Sequence, residues 1–496
     1  MKKFILILAL ALLLCSCADA ATKIGLDRLN WSQSLPVGAN VTLNEGYLVD
    51  AKLGGSSPEV TVGAYKWCDF VTDGINDEVQ WNLAIATGKR VHLVGNHVLE
   101  ANVTIPGPSF YIYGDGPRKT VVTLKGNTKI ILGRSDAQWM HGAFENLEIK
   151  RNLNSTSKTG TIGIDVQFGA VFWGDMKYIR NCYIHGSYHN LLIGDVNESK
   201  GAGSLVVEKC TLGSDPTDWA NDRAIAQDMV GAQVNYGIDI HFNDVRFGGY
   251  DFAGLSVGNN DENHVQLSNC YANNDTGDYG YYIANGLVLM ENCGAESGTI
   301  SDLYIAGGWG HKITNCFFGG AGNVSATGRG ITVFASMNDV DGLSISNTDV
   351  AYTNGADGDY WHQAPVYISA NTYTVSNIRL TGMRVWNCGT EAIMIANTDD
   401  ATVTGNIIEW MGAEYGVTAN SAGIEIYESR GDAKNNHVIM GNVIGTNRDG
   451  ILTSGHAANL TIIGNVVETT TLGGAAVYDG SDQAAYNVKE HNTYHA

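Results

Sequence analysis

Gly310-His311-Lys312-Ile313-Thr314-Asn315-Cys316-Phe317-Phe318-Gly319-Gly320 is a stretch that the chain repeats in near-copies. Counted from Asn315, the same frame recurs at Asn146, Asn181, Lys209, Asp244, Asn269, Asn292, Asn347, Gly382, Gly405, Gly441 and Gly464. Two residues before each marker stands an apolar side chain: Phe144, Ile179, Val207, Phe242, Leu267, Met290, Ile313, Ile345, Leu380, Val403, Ile439 and Ile462. The steps between markers fall to 23 residues and depart from that value only upward, to 36 at most. A fixed floor with upward excursions describes one structural unit carrying surface insertions. Each unit consists of short alternating runs of Val, Ile and Leu broken by Gly and Asn, with no room for a long helix. The pattern predicts an all-β solenoid of about twelve to fourteen coils.

Working outward, length and composition agree. A chain of 496 residues is one continuous body if it is a repeat array. The 61 Gly, 7 Pro and 16% charged residues suit many short strands joined by tight turns. A formal charge of -21 argues against nucleic acid, whose binders need a basic stripe. It also opposes a polyanionic glycan unless bridging cations such as Ca²⁺ assist, so calcium is the one cofactor left open.

Residues 1–20 read as an export signal. Lys2-Lys3 precedes an apolar run from Phe4 to Leu14, and Ala18-Asp19-Ala20 offers a small-residue cleavage site. The run is too short to span a bilayer. Leu14-Cys15-Ser16-Cys17 also resembles a lipoprotein box, in which Cys17 would carry a lipid anchor. Either route places the protein outside the cytoplasm, secreted or at the cell surface. Cys182, Cys210, Cys270, Cys293 and Cys316 each follow a marker and point inward. Stacked coils set like positions about 4.8 Å apart, against roughly 3.8 Å between the Cβ atoms of a disulfide. Buried free thiols acting as small hydrophobes are therefore expected.

Residues 21–64 read as an irregular arm or oligomer contact. Within residues 65–92, Asn76 is a suitable N-cap, and Asp77 and Glu78 suit the positive end of a helix. Val79, Leu83 and Ala86 would form its apolar face, and Gly88 would end it before a first strand, Arg90-Val91-His92-Leu93-Val94. An amphipathic helix over the open end is what an exposed solenoid core requires. The segment Asp73-Gly74-Ile75-Asn76-Asp77-Glu78-Val79-Gln80-Trp81-Asn82-Leu83-Ala84-Ile85 resembles the opening of secreted right-handed parallel β-helix proteins of the pectin-lyase-like superfamily. That resemblance implies a right-handed β-helix over residues 93–479. Its members include polysaccharide lyases, glycosidases, uronate epimerases, adhesins and phage tailspikes.

If positions −2 and −4 from the marker are buried, positions −1, −3 and −5 form outward files. Glu145, Arg180 and Glu208 fall in the first, His241, Gln266 and Lys312 in the second, and Asp239 beside His264 in the third. A dense ionisable strip on an otherwise bland sheet is a candidate groove. Within it, Tyr236-Gly237-Ile238-Asp239-Ile240-His241-Phe242 resembles the Tyr-Gly-Phe/Ile-Asp-Pro-His-acid signature of alginate C5-epimerases, with Ile240 in place of the Pro and Phe242 in place of the acid. The resemblance implies Tyr236 and His241 as an acid/base pair, with Asp239 assisting. A base on one face removes the proton α to a uronate carboxylate. Return of a proton to the other face epimerises the sugar, and loss of the C4 oxygen cleaves it. Arg180 and His264 complete the expected catalytic set.

Hydrolysis is the weaker alternative. Glu145 and Glu208 lie two coils apart, about 9.6 Å, at the edge of the spacing for an inverting pair. Polygalacturonase-like elements are present only as Asn347-Thr348-Asp349, Asp399-Asp400 and Gly455-His456, too widely spaced. Trp361, in Asp359-Tyr360-Trp361-His362, and Asp218-Trp219 sit in insertions where aromatics beside acids suit sugar stacking. Tyr282, Tyr304 and Tyr367 project from the second strand of their coils. Residues 480–496 close the far end as a cap. The expected substrate-binding set is therefore Glu145, Glu208, Gln266, Lys312, Tyr304 and Trp361. The reading is an exported β-helix that binds polysaccharide, of uronate lyase or epimerase type. A non-catalytic adhesin, sheath or tailspike-like glycan-binding protein is the rival, and oligomerisation stays open.

Overall fold

The architecture is that of a computed structural model. It describes residues 58–106, 109–133, 141–151, 160–167, 177–197, 201–214, 229–273, 277–296, 298–319, 328–351, 364–386, 391–409, 422–430, 436–446, 449–469, 475–482 and 487–495, with the backbone alone at 39–44 and 47–53. The export signal, Cys17, Asp218-Trp219 and Trp361 lie outside the described residues.

The recurrent marker is a corner. All twelve marker residues have left-handed backbone, with φ from 49° at Asn347 to 68° at Gly464. Only Gly, and more mildly Asn and Asp, occupy that region at low cost, so these residue types dominate the position. Lys209 is the exception. On one side of each corner a strand such as Gly237–Asn243 lies in one sheet face, and on the other a strand such as Arg246–Gly248 starts the next. A third strand per coil, such as Ala253–Val257, belongs to a parallel sheet of fourteen strands. The result is an all-β right-handed solenoid.

Because the corners are alike, coils stack in register. The apolar residues two before the marker form one unbroken file of parallel partners, Phe144 through Ile179, Val207, Phe242 and onward to Ile462. Each is buried, and together with Val, Ile and Leu from the other strands they make one continuous core. The residue after the corner also points inward. In the earlier coils it is often Cys, and Cys182, Cys210, Cys270, Cys293 and Cys316 are buried and free. Their thiols donate to carbonyls two residues back, as Cys210 does to Glu208 at 3.2 Å. In the last coils Asn takes that position, and Asn406, Asn442, Asn465 and Asn492 hydrogen-bond one to the next along the axis.

The N-terminal end corrects the sequence reading. The helix spans Glu78–Ala86, but Glu78, Trp81 and Ala84 face the core, while Val79 and Leu83 are 50% and 54% exposed. Polar anchors set the rotation. Asp77 accepts from the backbone N–H of Gly74 at 3.0 Å and of Val98 at 2.8 Å, and Glu78 accepts from that of Glu100 at 3.1 Å. The indole of Trp81 donates to Nδ1 of His97 at 3.2 Å. Three ties to the strand Asn96–Leu99 and its end outweigh two aliphatic side chains, and Trp81 covers more core than Leu83 could. Asn76 is not the N-cap. It sits in the left-handed region at φ 46°, and Asp77 takes the cap position. Nor is Arg90–Val94 the first strand, since Glu59–Gly63 pairs with it and places the end of the expected arm in the solenoid. At the other end the tail repeats the unit. His491 is a further left-handed corner, and Val488–Glu490 and Thr493–His495 stack on the preceding coil.

Candidate functional site

Register places the expected strip. One file runs Thr61, His92, Tyr113, Glu145, Arg180, Glu208, Asn243, Ser268, Glu291. Its neighbour runs Tyr111, Ala143, Tyr178, Val206, His241, Gln266, Leu289, Lys312. The charged residues are therefore brought to one surface, in the expected order. Tyr111, Tyr113, Arg90 and His92 extend it toward the N terminus. Sequence reasoning missed them because the marker frame begins only at Asn146, although the alternation of Ser109–Tyr113 carries the signal.

That N-terminal section is satisfied within itself. Glu145 is only 5% exposed and accepts from the Tyr111 hydroxyl and from Nε of Arg180. The Tyr113 hydroxyl donates to Glu59 at 2.5 Å, and the Arg90 guanidinium lies 4.3 Å over the Tyr111 ring. Burial, reinforced by Glu145, raises the Tyr111 phenol; burial and Glu59 raise that of Tyr113 further. These phenols are locked as donors. Glu145 is therefore a buried acceptor rather than an exposed sugar ligand, and Arg180 covers it on the side facing Glu208, which disfavours an inverting carboxylate pair.

The section around His241 is more open. Nε2 of His241 lies 2.7 Å from Oδ1 of Asp239, with the two side chains 24% and 47% exposed. Asp239 has φ 61° inside a strand, and Ser204, at the equivalent place one coil earlier, has φ 49°. The Ser204 hydroxyl donates to the other Asp239 oxygen at 3.2 Å. Paired left-handed residues in adjacent strands are local irregularities of the kind that re-aim side chains. Here they hold both oxygens of Asp239. Tyr236 is 7% exposed, and its hydroxyl donates to Glu262 at 2.8 Å.

The expected Asp239–His264 contact is replaced. Asp239 turns to His241, among the described residues no hydrogen bond or ion pair joins Asp239 to His264, and His264 packs edge-on against Trp309 with ring centroids 5.8 Å apart. Gln266 adjoins His241 in the next coil, and Lys312 lies two coils beyond Gln266.

A second surface lies on the fourteen-stranded sheet. Tyr282 and Tyr304 are register partners with rings stacked at 5.5 Å and 13°. Tyr279 stands 5.0 Å from each, and Phe252 lies 5.4 Å from Tyr279. The Arg329 guanidinium sits 3.9 Å over the ring of Tyr367. Two coils past Tyr367 in the same file, Glu425 has its carboxyl pushed up to about 7 by burial and then by Glu391. Among the described residues no three His, Cys, Asp or Glu side chains are grouped to hold a metal, so no step is routed through calcium. No described helix is long and apolar enough to cross a membrane.

No family model matches the chain, and no curated protein matches it. Among solved structures it is similar to the A-module of mannuronan C-5 epimerase AlgE4 of Azotobacter vinelandii, at 14% identity over 88% of this chain and 100% of that one, with a TM-score of 0.43. It is similar to PfbA, a surface adhesin of Streptococcus pneumoniae, at 12% identity over 74% and 92% of the two chains, with a TM-score of 0.45. It is also similar to a mannuronic acid specific polysaccharide family 6 lyase from human gut microbiota, at 10% identity over 86% and 91%, with a TM-score of 0.46.

Proposed function

We propose that this chain acts outside the cytoplasm on a uronate-containing polysaccharide, with His241 handling the proton and Asp239 orienting it. The observation that carries this reading is the 2.7 Å contact between His241 Nε2 and Asp239 Oδ1 on a partly exposed strip. A carboxylate on Nε2 selects the tautomer whose basic lone pair is on Nδ1. That nitrogen takes the C5 proton, and the electron pair moves into the sugar carboxylate. In the eliminating branch the C4–O bond breaks, a C4=C5 double bond forms, and the departing oxygen takes the proton from His241. In the epimerising branch a second donor must deliver a proton to the opposite face. His264 is the proposed donor, on the next strand, which His241 joins through Gln266. Arg180, Glu208, Gln266 and Lys312 are proposed to contact neighbouring sugar units along the strip. Tyr236, held by Glu262, is assigned to shaping its edge.

Incubation with uronate and neutral polysaccharides, followed by the ultraviolet absorbance of unsaturated ends and by the anomeric proton signals, tests the proposal. His241→Ala is expected to lower turnover at least ~100-fold, the usual worth of a general base, and Asp239→Asn to lower it less. Turnover untouched by His241→Ala overturns the assignment. A non-catalytic glycan-binding reading is favoured by a different observation, the Tyr279–Tyr282–Tyr304 platform. Such clustered rings hold sugar faces without chemistry. Glycan binding without turnover, lost on Tyr304→Ala, supports that alternative.

A further inference from the structure

Beyond the corner, on the face that His241 does not occupy, the coils border a half-open cavity of about 370 Å³. Its lining brings together Arg118, Lys209 and Arg246, three cations on a chain whose formal charge is -21. Each comes from a different turn of the fold. Arg118 is held in left-handed backbone at φ 69°, in a turn whose Gly116 N–H donates to the carbonyl of Asn146 at 2.9 Å. Lys209 occupies the corner position that Asn181 and Asp244 fill in the neighbouring coils, so it projects where the chain turns outward. Arg246 follows the next corner, in file with Thr211 and Tyr183.

Glycine opens the floor. Gly248 lines the cavity, and a Cβ added there would meet nothing among the described residues nearer than the Asn273 carbonyl oxygen at 3.8 Å.

The cations are available. Among the described residues the side chains of Arg118 and Arg246 make no hydrogen bond or ion pair, and that of Lys209 has only Glu208 at 3.8 Å. Among the described residues no carboxylate lines the cavity; Glu208 stands beside Lys209, and Asp244 lines the shallower depression next to it. Three cations with one acid beside them repel one another, and an anion relieves that repulsion. The remaining lining suits a sugar ring: the Tyr183 ring for its face, and Thr211 and Asn273 for its hydroxyls.

We propose that this cavity is a binding subsite for the anionic unit of an acidic polysaccharide, a uronate carboxylate or a sulfate ester. It is separate from the His241 strip and lies across the corner from it. The subsite anchors the chain of sugars, and it requires no turnover. It also answers the charge objection raised by composition, because a local cluster of cations accepts a polyanion that the molecule as a whole repels.

The test is titration of the full chain with glucuronate, galacturonate, glucose and inorganic sulfate, followed by calorimetry and by proton NMR of the sugar. The uronates are expected to bind, glucose is not, and the affinity falls as salt rises. Arg246→Ala and Lys209→Ala are each expected to weaken uronate binding roughly tenfold, the worth of one charge-assisted hydrogen bond. Arg246→Lys is expected to recover part of the loss. Tighter binding of sulfate than of uronate, with the same sensitivity to Arg246→Ala, assigns the subsite to sulfated sugars. Absence of anion binding, equal binding of glucose, or affinity indifferent to both alanine substitutions overturns the proposal. Monosaccharide binding does not depend on catalysis, so failure here leaves the His241 reading standing, and the reverse also holds.

Discussion

Asn442→Ala is expected to destabilise the C-terminal coils by roughly 3–5 kcal/mol, from groups left unpaired rather than from lost volume. Asn442 Nδ2 donates to Oδ1 of Asn465 at 2.8 Å and to the carbonyl of Val403 at 3.0 Å. Its own Oδ1 accepts the backbone N–H and the Nδ2 of Asn406, both at 2.9 Å. Alanine removes all four bonds at a site with no exposure to water. The Asn406 N–H and the Val403 carbonyl then lack the partners that burial requires. In a solenoid each coil rests on its neighbours, so the damage spreads along the axis and is greatest at the nearer end. Urea unfolding with hydrogen exchange is expected to show early opening of Thr461–Ile463 and Val466–Thr469 while Val265 and Leu267 stay protected. Asn442→Cys, which installs the residue used at this position in earlier coils, is expected to lose less. Equal loss in the alanine and cysteine variants would show that packing, not the hydrogen-bonded file, holds these coils.

The second large effect is acid lability. His97, His311 and His437 are almost completely buried, and burial lowers each imidazole to about 4. Each is used as a neutral acceptor at Nδ1: for the Trp81 indole, for the Val288 N–H at 3.2 Å, and for the Ala401 N–H at 3.0 Å. Protonation would turn that acceptor into a second donor facing a donor. The folded values lie below the unfolded value near 6.5, so the unfolded chain binds more protons in between. The stabilising contribution is complete above pH 6.5 and is withdrawn as pH falls through 4, by on the order of 10 kcal/mol for the three. Thermal unfolding between pH 7 and pH 4 is expected to show a steep fall in midpoint, and His437→Gln a shallower one. A flat profile over that range would contradict the assignment.

Both effects concern the interior, and the sequence announced the interior unevenly. The corner frame, its upward-only spacing and the apolar residue two before it determine the stacking, because left-handed backbone admits few residue types. The cysteine file was legible for the same reason. The asparagine file was not, although Gly405-Asn406, Gly441-Asn442 and Gly464-Asn465 repeat it. A polar residue there reads as turn chemistry until the register shows it lying inside.

The helix face was misjudged because hydrophobic spacing ignores hydrogen bonds. Asp77, Glu78 and Trp81 have polar partners on the strand Asn96–Leu99 and at its end, and those partners decide the rotation. For the candidate site, register was readable and contact was not. Arg180 beside Glu145 follows from the frame, but Asp239 turning to His241 instead of His264 depends on an unforeseen left-handed residue inside a strand. The cavity of Arg118, Lys209 and Arg246 was missed because it draws on a corner, a strand and a distant turn that share no spacing.

The most direct test of the functional account is solvent exchange at the sugar carbon that His241 is assigned to deprotonate. Elimination and epimerisation both begin by removing the C5 proton. With polyuronates in deuterium oxide, unsaturated ends or deuterium at C5 of epimerised units are expected, with both absent in His241→Ala protein that still binds the glycan. A bound polyuronate that keeps every C5 proton and every linkage with the native protein would contradict it.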